Sequence, residues 1–392
     1  MTSTNIYRDI ATRTDGDIYI GVVGPVRTGK STFIKRFMDT LVIPHIDSTF
    51  RRDRATDELP QSAAGRTIMT TEPKFIPEQA VTITMEGNAA LNVRMIDCVG
   101  YIVPSSLGYI ENDMPRMVKT PWFDEEIPFN MAAEIGTRKV IEEHSTIGLV
   151  VTTDGSIGEI PREEYEEAEE RVIHELQAIH KPFVVVLNSV DPLSADALRM
   201  SAELETKYGA PVCAVNCLEI DEDQIRGILE KVLFEFPVRE IGIELPRWLT
   251  SVDRKHPIRK AIFDAVRDAA ADVRKISQVP VMASAVLGCE HVDNTRVDSV
   301  ELGRGAAEIV VSIKPDLFYR VLAEATGLAV QDESALMAMM LELADMKKRY
   351  DKIKNALDEV EATGYGIVMP SLEEMTLEEP EIIKQSGRYG VR

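Results

Sequence analysis

Apolar positions in the first half of the chain fall in short unbroken runs separated by stretches of helical period. Ile18 to Val23, Ile147 to Thr152, Phe183 to Leu187 and Val212 to Val215 are β-branched-rich runs of strand length. Between them, Arg162 to Ile179 sets Tyr165, Ala168, Val172, Leu176 and Ile179 at helical spacing, and a helix is predicted from about Lys30 to Leu41. Unbroken apolar strands are those buried on both faces, so the pattern predicts an α/β domain with a mostly parallel sheet and helices on both sides. Val81 to Met85 and Leu91 to Ile96 flank Glu86-Gly87-Asn88, which predicts a hairpin. The alternation stops near Pro237, giving a first domain over 1–238.

The remainder follows other rules. Arg254 to Ile276 reads as a helix, Ala306 to Ile313 as a strand and Asp316 to Ala325 as a helix, a smaller α+β middle region over 239–331. The last region, 332–392, opens with a long helix from Glu333 to Glu361. Along it Leu336, Met339, Leu343, Met346, Tyr350, Ile353, Leu357 and Val360 alternate spacings of three and four. That heptad period fits a coiled coil, and it fits equally a helix packed within its own subunit.

Composition narrows the classes. The chain has 392 residues, 44 basic against 65 acidic side chains and a formal charge of −21, with 44% hydrophobic residues. Such a chain is globular, and its acidity argues against nucleic-acid partners and against direct binding to anionic lipid. No apolar run approaches bilayer length, so no transmembrane segment is expected. Four cysteines build no disulfide scaffold, and Cys213 and Cys217 lack a metal-site partner pair, which points to a reducing cytoplasm.

The candidate chemistry starts at Gly24-Pro25-Val26-Arg27-Thr28-Gly29-Lys30-Ser31, a G-x-x-x-x-G-K-[ST] phosphate loop between a predicted strand and a predicted helix. Its glycines let backbone N–H groups wrap phosphates at a helix N-terminus. Lys30 would reach the β- and γ-phosphates, and the Ser31 hydroxyl, followed by Thr32, would ligate Mg²⁺. Arg27 either adds charge near the phosphates or faces solvent. An acid at the tip of a neighbouring strand must help hold the metal, and Asp97-Cys98-Val99-Gly100 supplies it in D-x-x-G form. Thr67, Thr70 and Thr71 precede the hairpin, where a γ-phosphate-sensing threonine belongs, with Thr70 or Thr71 favoured. Two features depart from the GTPase pattern. Tyr101 stands where a water-orienting glutamine is usual, and Asn188-Ser189-Val190-Asp191 is an N-K-x-D base-reading motif without its lysine.

These residues, together with Asp57 to Gly65, Thr67 to Phe75, Glu134 to Ile141, His144 to Gly148 and Thr363 to Ile367, resemble the stage IV sporulation protein A family of endospore-forming bacteria. The resemblance runs from end to end. It implies a P-loop fold of the translation-factor GTPase class that uses ATP with Mg²⁺. Lys30 is then the Walker A lysine, Asp97 the Walker B acid, and Thr70 and Thr71 the sensor threonines. It further implies a homopolymer formed with ATP hydrolysis as the basement layer of the spore coat. That layer would lie in the mother-cell cytoplasm, peripheral on the outer forespore membrane. Implied partners are a small amphipathic membrane-bound peptide and other spore coat morphogenetic proteins. The family's chain is expected to continue past Arg392. A GTP-dependent switch of the translation-factor class, suggested by Asp97 to Gly100 and Asp191, is the alternative, and binding without turnover is a third reading.

Other features receive plainer readings. The six histidines show no ligand spacing. Glu163, Glu164, Glu166, Glu167, Glu169 and Glu170 read as a solvated helix face. The segment Tyr101 to Phe129, which includes Trp122, is either a mobile contact element or a packed insertion.

Overall fold

A computed structural model of the chain describes residues 6–60, 73–85, 89–106, 109–111, 114–120, 123, 125–369, 382–385 and 388–391. The chain divides into two units, Met1–Ser312 and Ile313–Arg392. The first unit opens with α1 (Ile6–Arg13), β1 (Asp17–Val23), α2 (Lys30–Phe37), α3 (Thr49–Asp57), β2 (Lys74–Met85) and β3 (Ala89–Asp97). Two small ladders follow, β4 (Ile110–Glu111) with β5 (Met114–Pro115) and β6 (Met117–Val118) with β7 (Ile127–Pro128). Next come α4 (Phe129–Lys139), β8 (Ile147–Thr153), α5 (Glu166–Ala178), β9 (Phe183–Asn188), α6 (Ala195–Tyr208), β10 (Val212–Val215) and α7 (Glu222–Phe234).

The strands form one sheet in the order β10-β9-β8-β1-β3-β2. Every neighbouring pair is parallel except β2 with β3. Each residue of β8 and β9 is buried, which accounts for their unbroken apolar runs. One face packs Phe33, Ile34 and Phe37 of α2, Ile10 of α1 and Ile225 and Leu229 of α7 against Ile20 and Val22. The opposite face packs Phe129 of α4, Val172 and Leu176 of α5 and Leu204 of α6 against Val150 and Val185. The α/β expectation is met, with helices on both sides of a sheet whose one antiparallel strand lies at its edge.

The middle region contributes β11 (Glu240–Glu244), the short turn α8 (Trp248–Ser251), α9 (Pro257–Ala270), α10 (Val279–Leu287), β12 (Val292–Glu301) and β13 (Ala306–Ile313). Its sheet runs β11-β13-β12 over a small core that includes Val279, Met282, Val286 and Ile309. The helix expected over Arg254 to Ile276 ends early, at Ala270. Val238 N–H instead donates to the Arg274 carbonyl and Ile276 N–H to that of Phe236, so this backbone serves a tertiary contact. Ile276 and Leu302 join the large core cluster of the first sheet. Arg13 Nη2 donates to the Pro237 carbonyl at 2.5 Å, and its guanidinium lies 4.9 Å from the Phe236 ring centroid.

The second unit holds α11 (Pro315–Thr326), α12 (Glu333–Thr363) and the hairpin β14 (Ile382–Gln385) with β15 (Arg388–Val391). The long helix is capped at both ends. Asp332 accepts from Ala335 N–H at 2.8 Å, and Gly364 takes the left-handed conformation, φ 82°, that closes a helix C-terminus.

One expectation is corrected here. The glutamates at 163–170 do not all face solvent. Glu169 is fully buried, held by Arg162 at 2.6 and 2.8 Å, by the Tyr208 hydroxyl at 2.8 Å and by Thr152. Glu164 accepts from the Ser105 amide at 2.7 Å and its hydroxyl at 2.6 Å. The reason is register: Glu169 shares the inward stripe of Val172 and Leu176, so helix period carries it into the core. A buried carboxylate left by its cation, or the reverse, is costly. Replacing Glu169 by Ala is expected to lower unfolding stability by about 3 kcal/mol in urea titration. Glu167→Ala, exposed on the same helix, is expected to change it by less than about 0.5 kcal/mol.

Candidate functional site

The chain leaves β1 toward β3 on one side and β8 on the other, so the C-terminal tip of β1 is where a ligand crevice forms in such a sheet. Gly24 to Ser31 occupies that tip and runs into α2. The loop is braced from a strand two places away in the sheet. At the end of β9, Asn188 Nδ2 donates to the Thr28 carbonyl at 3.0 Å, while its Oδ1 accepts from Cys217 N–H at 3.1 Å. Gly29 sits at φ 97°, and a Cβ there would lie 2.3 Å from Asn188 Nδ2, so glycine is required twice over. Within the loop the buried Thr28 hydroxyl donates to the Pro25 carbonyl at 3.0 Å.

Lys30 projects back under this loop and is buried. Its ammonium donates to the Pro25 carbonyl at 2.6 Å and approaches that of Gly24 at 3.4 Å. Desolvation pulls its pKa down to about 8, against the opposing pull of Asp97. Gly100, φ 91°, closes over the ammonium: a Cβ there would stand 2.5 Å from Lys30 Nζ. Asp97, at the tip of β3, is buried and accepts from the Ser31 hydroxyl at 2.6 Å. Burial raises the Asp97 pKa, with the Ser31 hydrogen bond and the Lys30 charge opposing it. Cys98 beside it is buried and pushed upward in pKa by desolvation, so it is held as a thiol.

The segment after Asp97 is stitched to the phosphate loop. Val26 N–H donates to the Tyr101 carbonyl at 2.8 Å and Tyr101 N–H to that of Gly24 at 3.2 Å. The Tyr101 ring points away from the crevice. Its hydroxyl donates to Glu175 on α5, and Arg171 lies 5.3 Å from the ring centroid while pairing bidentately with Glu134 at 2.7 Å. The Tyr101 side chain thus anchors the D-x-x-G segment to α5. Glu164, through Ser105, anchors it a second time.

The remaining predicted residues are placed as follows. Arg27 is half-buried at φ 65°, a left-handed conformation uncommon outside glycine, and burial lowers its pKa. Its charge acts on Lys30 in the same direction as burial. Thr32 is half-buried in the first turn of α2. Asp191 is exposed in the loop after β9, its N–H bonded to the Ser189 hydroxyl at 3.2 Å. Thr67, Thr70, Thr71 and Trp122 lie outside the described residues. Two contributions escaped sequence reading: the brace that Asn188 gives the loop, and the seat of Gly100 on Lys30. The second was signalled by the glycine of the D-x-x-G motif. The first carried no local signal, since 160 residues separate Asn188 from Thr28.

The donors suit Mg²⁺. Ser31 and Asp97 offer a hydroxyl and a carboxylate oxygen, hard ligands already in contact, beside a cradle for phosphate oxygens that supply the rest. Among the described residues no group of three or more His, Cys, Asp or Glu could hold a metal by itself. This is the usual pattern for an ion that arrives with a nucleotide.

Comparison with known proteins places these features. The family described as Stage IV sporulation protein A, ATPase domain, matches residues 1–237, and its middle domain matches residues 238–392. The chain is similar to Stage IV sporulation protein A of Clostridioides difficile (strain 630), 49% identical over 390 residues, covering 100% of this chain and 79% of that protein. It is similar to the protein of the same name from Bacillus subtilis (strain 168), 46% identical over 392 residues, covering 100% and 80%. Among solved structures it is similar to the FeoB G-domain from Methanococcus jannaschii at 13% identity and a TM-score of 0.28, covering 55% of this chain and 98% of that one.

The lowered Lys30 pKa carries a sign. Phosphate oxygens restore the charged form, so above about pH 8 the complex holds a proton that the free protein has shed. Affinity for a nucleoside triphosphate is expected to fall as pH rises from 8 toward 10. Titration calorimetry at pH 9 in buffers of different ionisation enthalpy is expected to show uptake approaching about one proton.

Proposed function

The chain belongs to the stage IV sporulation protein A family, and we propose that it is an ATP-hydrolysing structural protein that assembles with copies of itself into the basement layer of the spore coat. The observation that carries the hydrolase reading is the convergence of Lys30, Gly100, Ser31 and Asp97 at the glycine-rich loop between β1 and α2. The family's ATPase domain over residues 1–237 supports ATP as the nucleotide.

In this reading water attacks the γ-phosphate in line with the leaving oxygen. Lys30 exchanges the Pro25 and Gly24 carbonyls for β- and γ-phosphate oxygens, and its full charge returns as it does so. Ser31 and Asp97 would hold Mg²⁺, which when bound supplies charge neutralisation across the β- and γ-phosphates. Loop amides from Arg27 to Ser31 orient the phosphates, and Asn188 keeps them aimed. Thr70 and Thr71, carried over from the family resemblance, close over the γ-phosphate. No general base is needed, because positioning and charge stabilisation dominate phosphoryl transfer. Loss of the γ-phosphate releases the contact at Gly100, and Tyr101 transmits that release to α5 through Glu175. Assembly is coupled to hydrolysis by that movement. A small amphipathic membrane-bound peptide and other coat proteins are the proposed partners on the outer forespore surface in the mother-cell cytoplasm. Among the described residues no helix is long and apolar enough to cross a membrane, which supports attachment through such an adaptor.

A second reading is a GTP-dependent switch or assembly regulator. The exposed carboxylate of Asp191, at the end of a strand whose Asn188 braces the phosphate loop, favours it. Phosphate release and pelleting measured together, with ATP and with GTP, separate the two. Wild type is expected to release phosphate from ATP and to pellet with it. Lys30→Ala is expected to lose at least about a hundredfold in hydrolysis and to stay in the supernatant. Hydrolysis of GTP but not ATP, with protein soluble in both nucleotide states, would establish the switch instead.

A further inference from the structure

Among the described residues of the second unit, the one long helix is dressed for a partner. α12 spans 31 residues, about 46 Å at 1.5 Å per residue. Ala356 is its one buried residue. Its heptad core positions stand open instead: Leu336 and Met339 are half-buried, while Leu343, Met346, Tyr350 and Ile353 are 39–53% exposed. Toward its C-terminal end the chain folds back, and Gly366 comes so close that a Cβ there would lie 2.0 Å from the Ala356 carbonyl oxygen. Leu357 and Val360, beyond that contact, are also open at 43% and 44%, so the stripe runs along the whole helix and charge, not exposure, must choose the overlap. A stripe with a strict three-four spacing matches the seam of another helix of the same period, and not a flat surface.

We propose that α12 pairs with α12 of a second copy as an antiparallel coiled coil, offset toward its N-terminal two-thirds. This names an interface for the self-assembly reading above and rests on that reading. Charge selects the register. The flanking positions run from acidic at Glu333 and Glu342 to basic at Lys347, Arg349 and Lys354. A parallel pair sets Glu342 against Lys347 of the second copy, but also Arg349 against its Lys354. A fully overlapped antiparallel pair sets Lys347 on Lys347 and Arg349 on Arg349. Sliding the antiparallel pair by one heptad removes both conflicts. Glu342 then meets Arg349 of the second copy, Glu333 meets its Lys354, and no like charges face each other across the seam.

The core closes in the same register. Leu336 layers on Ile353 of the second copy, Met339 on its Tyr350 and Leu343 on its Met346, each layer repeated by the two-fold axis. All six positions are apolar, the polar tip of Tyr350 reaches the rim, and the two helix dipoles oppose each other. The contact is isologous and therefore closed. It yields a two-chain building block, and growth of a layer must use a different surface.

Cysteine pairs in the full chain test the register, in a Cys289→Ser background because the other three cysteines are buried. Mixed Glu342→Cys and Arg349→Cys proteins are expected to form a disulfide-linked dimer under mild oxidant. Dominant cross-linking of Arg349→Cys with itself, or of Arg349→Cys with Lys354→Cys, would assign another register and overturn the proposal. Sedimentation supplies the second arm. Nucleotide-free wild type is expected to be dimeric, and Glu342→Arg to weaken the dimer about tenfold. Adding Arg349→Glu to that variant is expected to restore it. The double variant Leu343→Glu, Met346→Glu is expected to be monomeric while hydrolysing ATP at the wild-type rate. A monomeric wild type, or a dimer that survives this double variant, sinks the coiled coil but leaves ATP-dependent pelleting intact. Loss of ATP hydrolysis in wild type would instead strike the functional reading.

Discussion

A buried ammonium is the constraint around which the first unit is organised. Lys30 sits beneath its own loop with carbonyl oxygens for company, and desolvation lowers its pKa to about 8. The cation is tolerated there because the Pro25 and Gly24 carbonyls lie around it and the Asp97 carboxylate opposes the cost of burial. The surrounding features serve that end. Gly29 lets Asn188 press against the loop, Gly100 lets the following segment close over Nζ, and Ser31 with Asp97 gathers hard oxygens beside it. The parallel order of β9, β8, β1 and β3 brings all these strand ends to one edge.

Tyr101 stands where a glutamine-dependent switch carries its water-orienting side chain, and here it is committed elsewhere. Its backbone pairs with the phosphate loop, and its side chain is committed to Glu175, with Arg171 and Glu134 completing the cluster. Replacing a water-orienting side chain by an anchor trades a catalytic contact for a mechanical one. It ties the segment paired with the phosphate loop to α5 through few atoms. The buried pair of Arg162 and Glu169 fixes the start of that same helix, so the lever has a rigid end.

Charge frames the assembly question. With a formal charge of −21, copies repel one another at low salt, and any contact between them needs local complementarity or strong apolar burial. The middle of α12, with Lys347, Lys348, Arg349, Lys352 and Lys354, is a basic island in this acidic chain. Flanking acids on the same helix make it self-complementary only when two copies run antiparallel and offset. The acidic remainder makes direct contact with anionic lipid unfavourable.

The phosphate loop, Asp97 and the strand–helix alternation were legible in the sequence because each is written in consecutive residues or in a short period. The heptads of α12 were legible for the same reason, although spacing alone left open whether the seam faces inside or outside the chain. Glu169 carried a readable signal, its register with Val172 and Leu176, which the density of neighbouring glutamates masked. What remained closed were pairings between distant segments. The Asn188 amide on the Thr28 carbonyl, the turning of Tyr101 toward Glu175 and the break of the expected helix at Ala270 all depend on partners far away in the chain. The amino-acid sequence by itself determined which groups can bind a triphosphate, since local backbone chemistry at a glycine-rich turn suffices for that. Only the tertiary structure decided which of them face the crevice and which brace it, because that choice follows from the order in which the sheet sets its strands side by side.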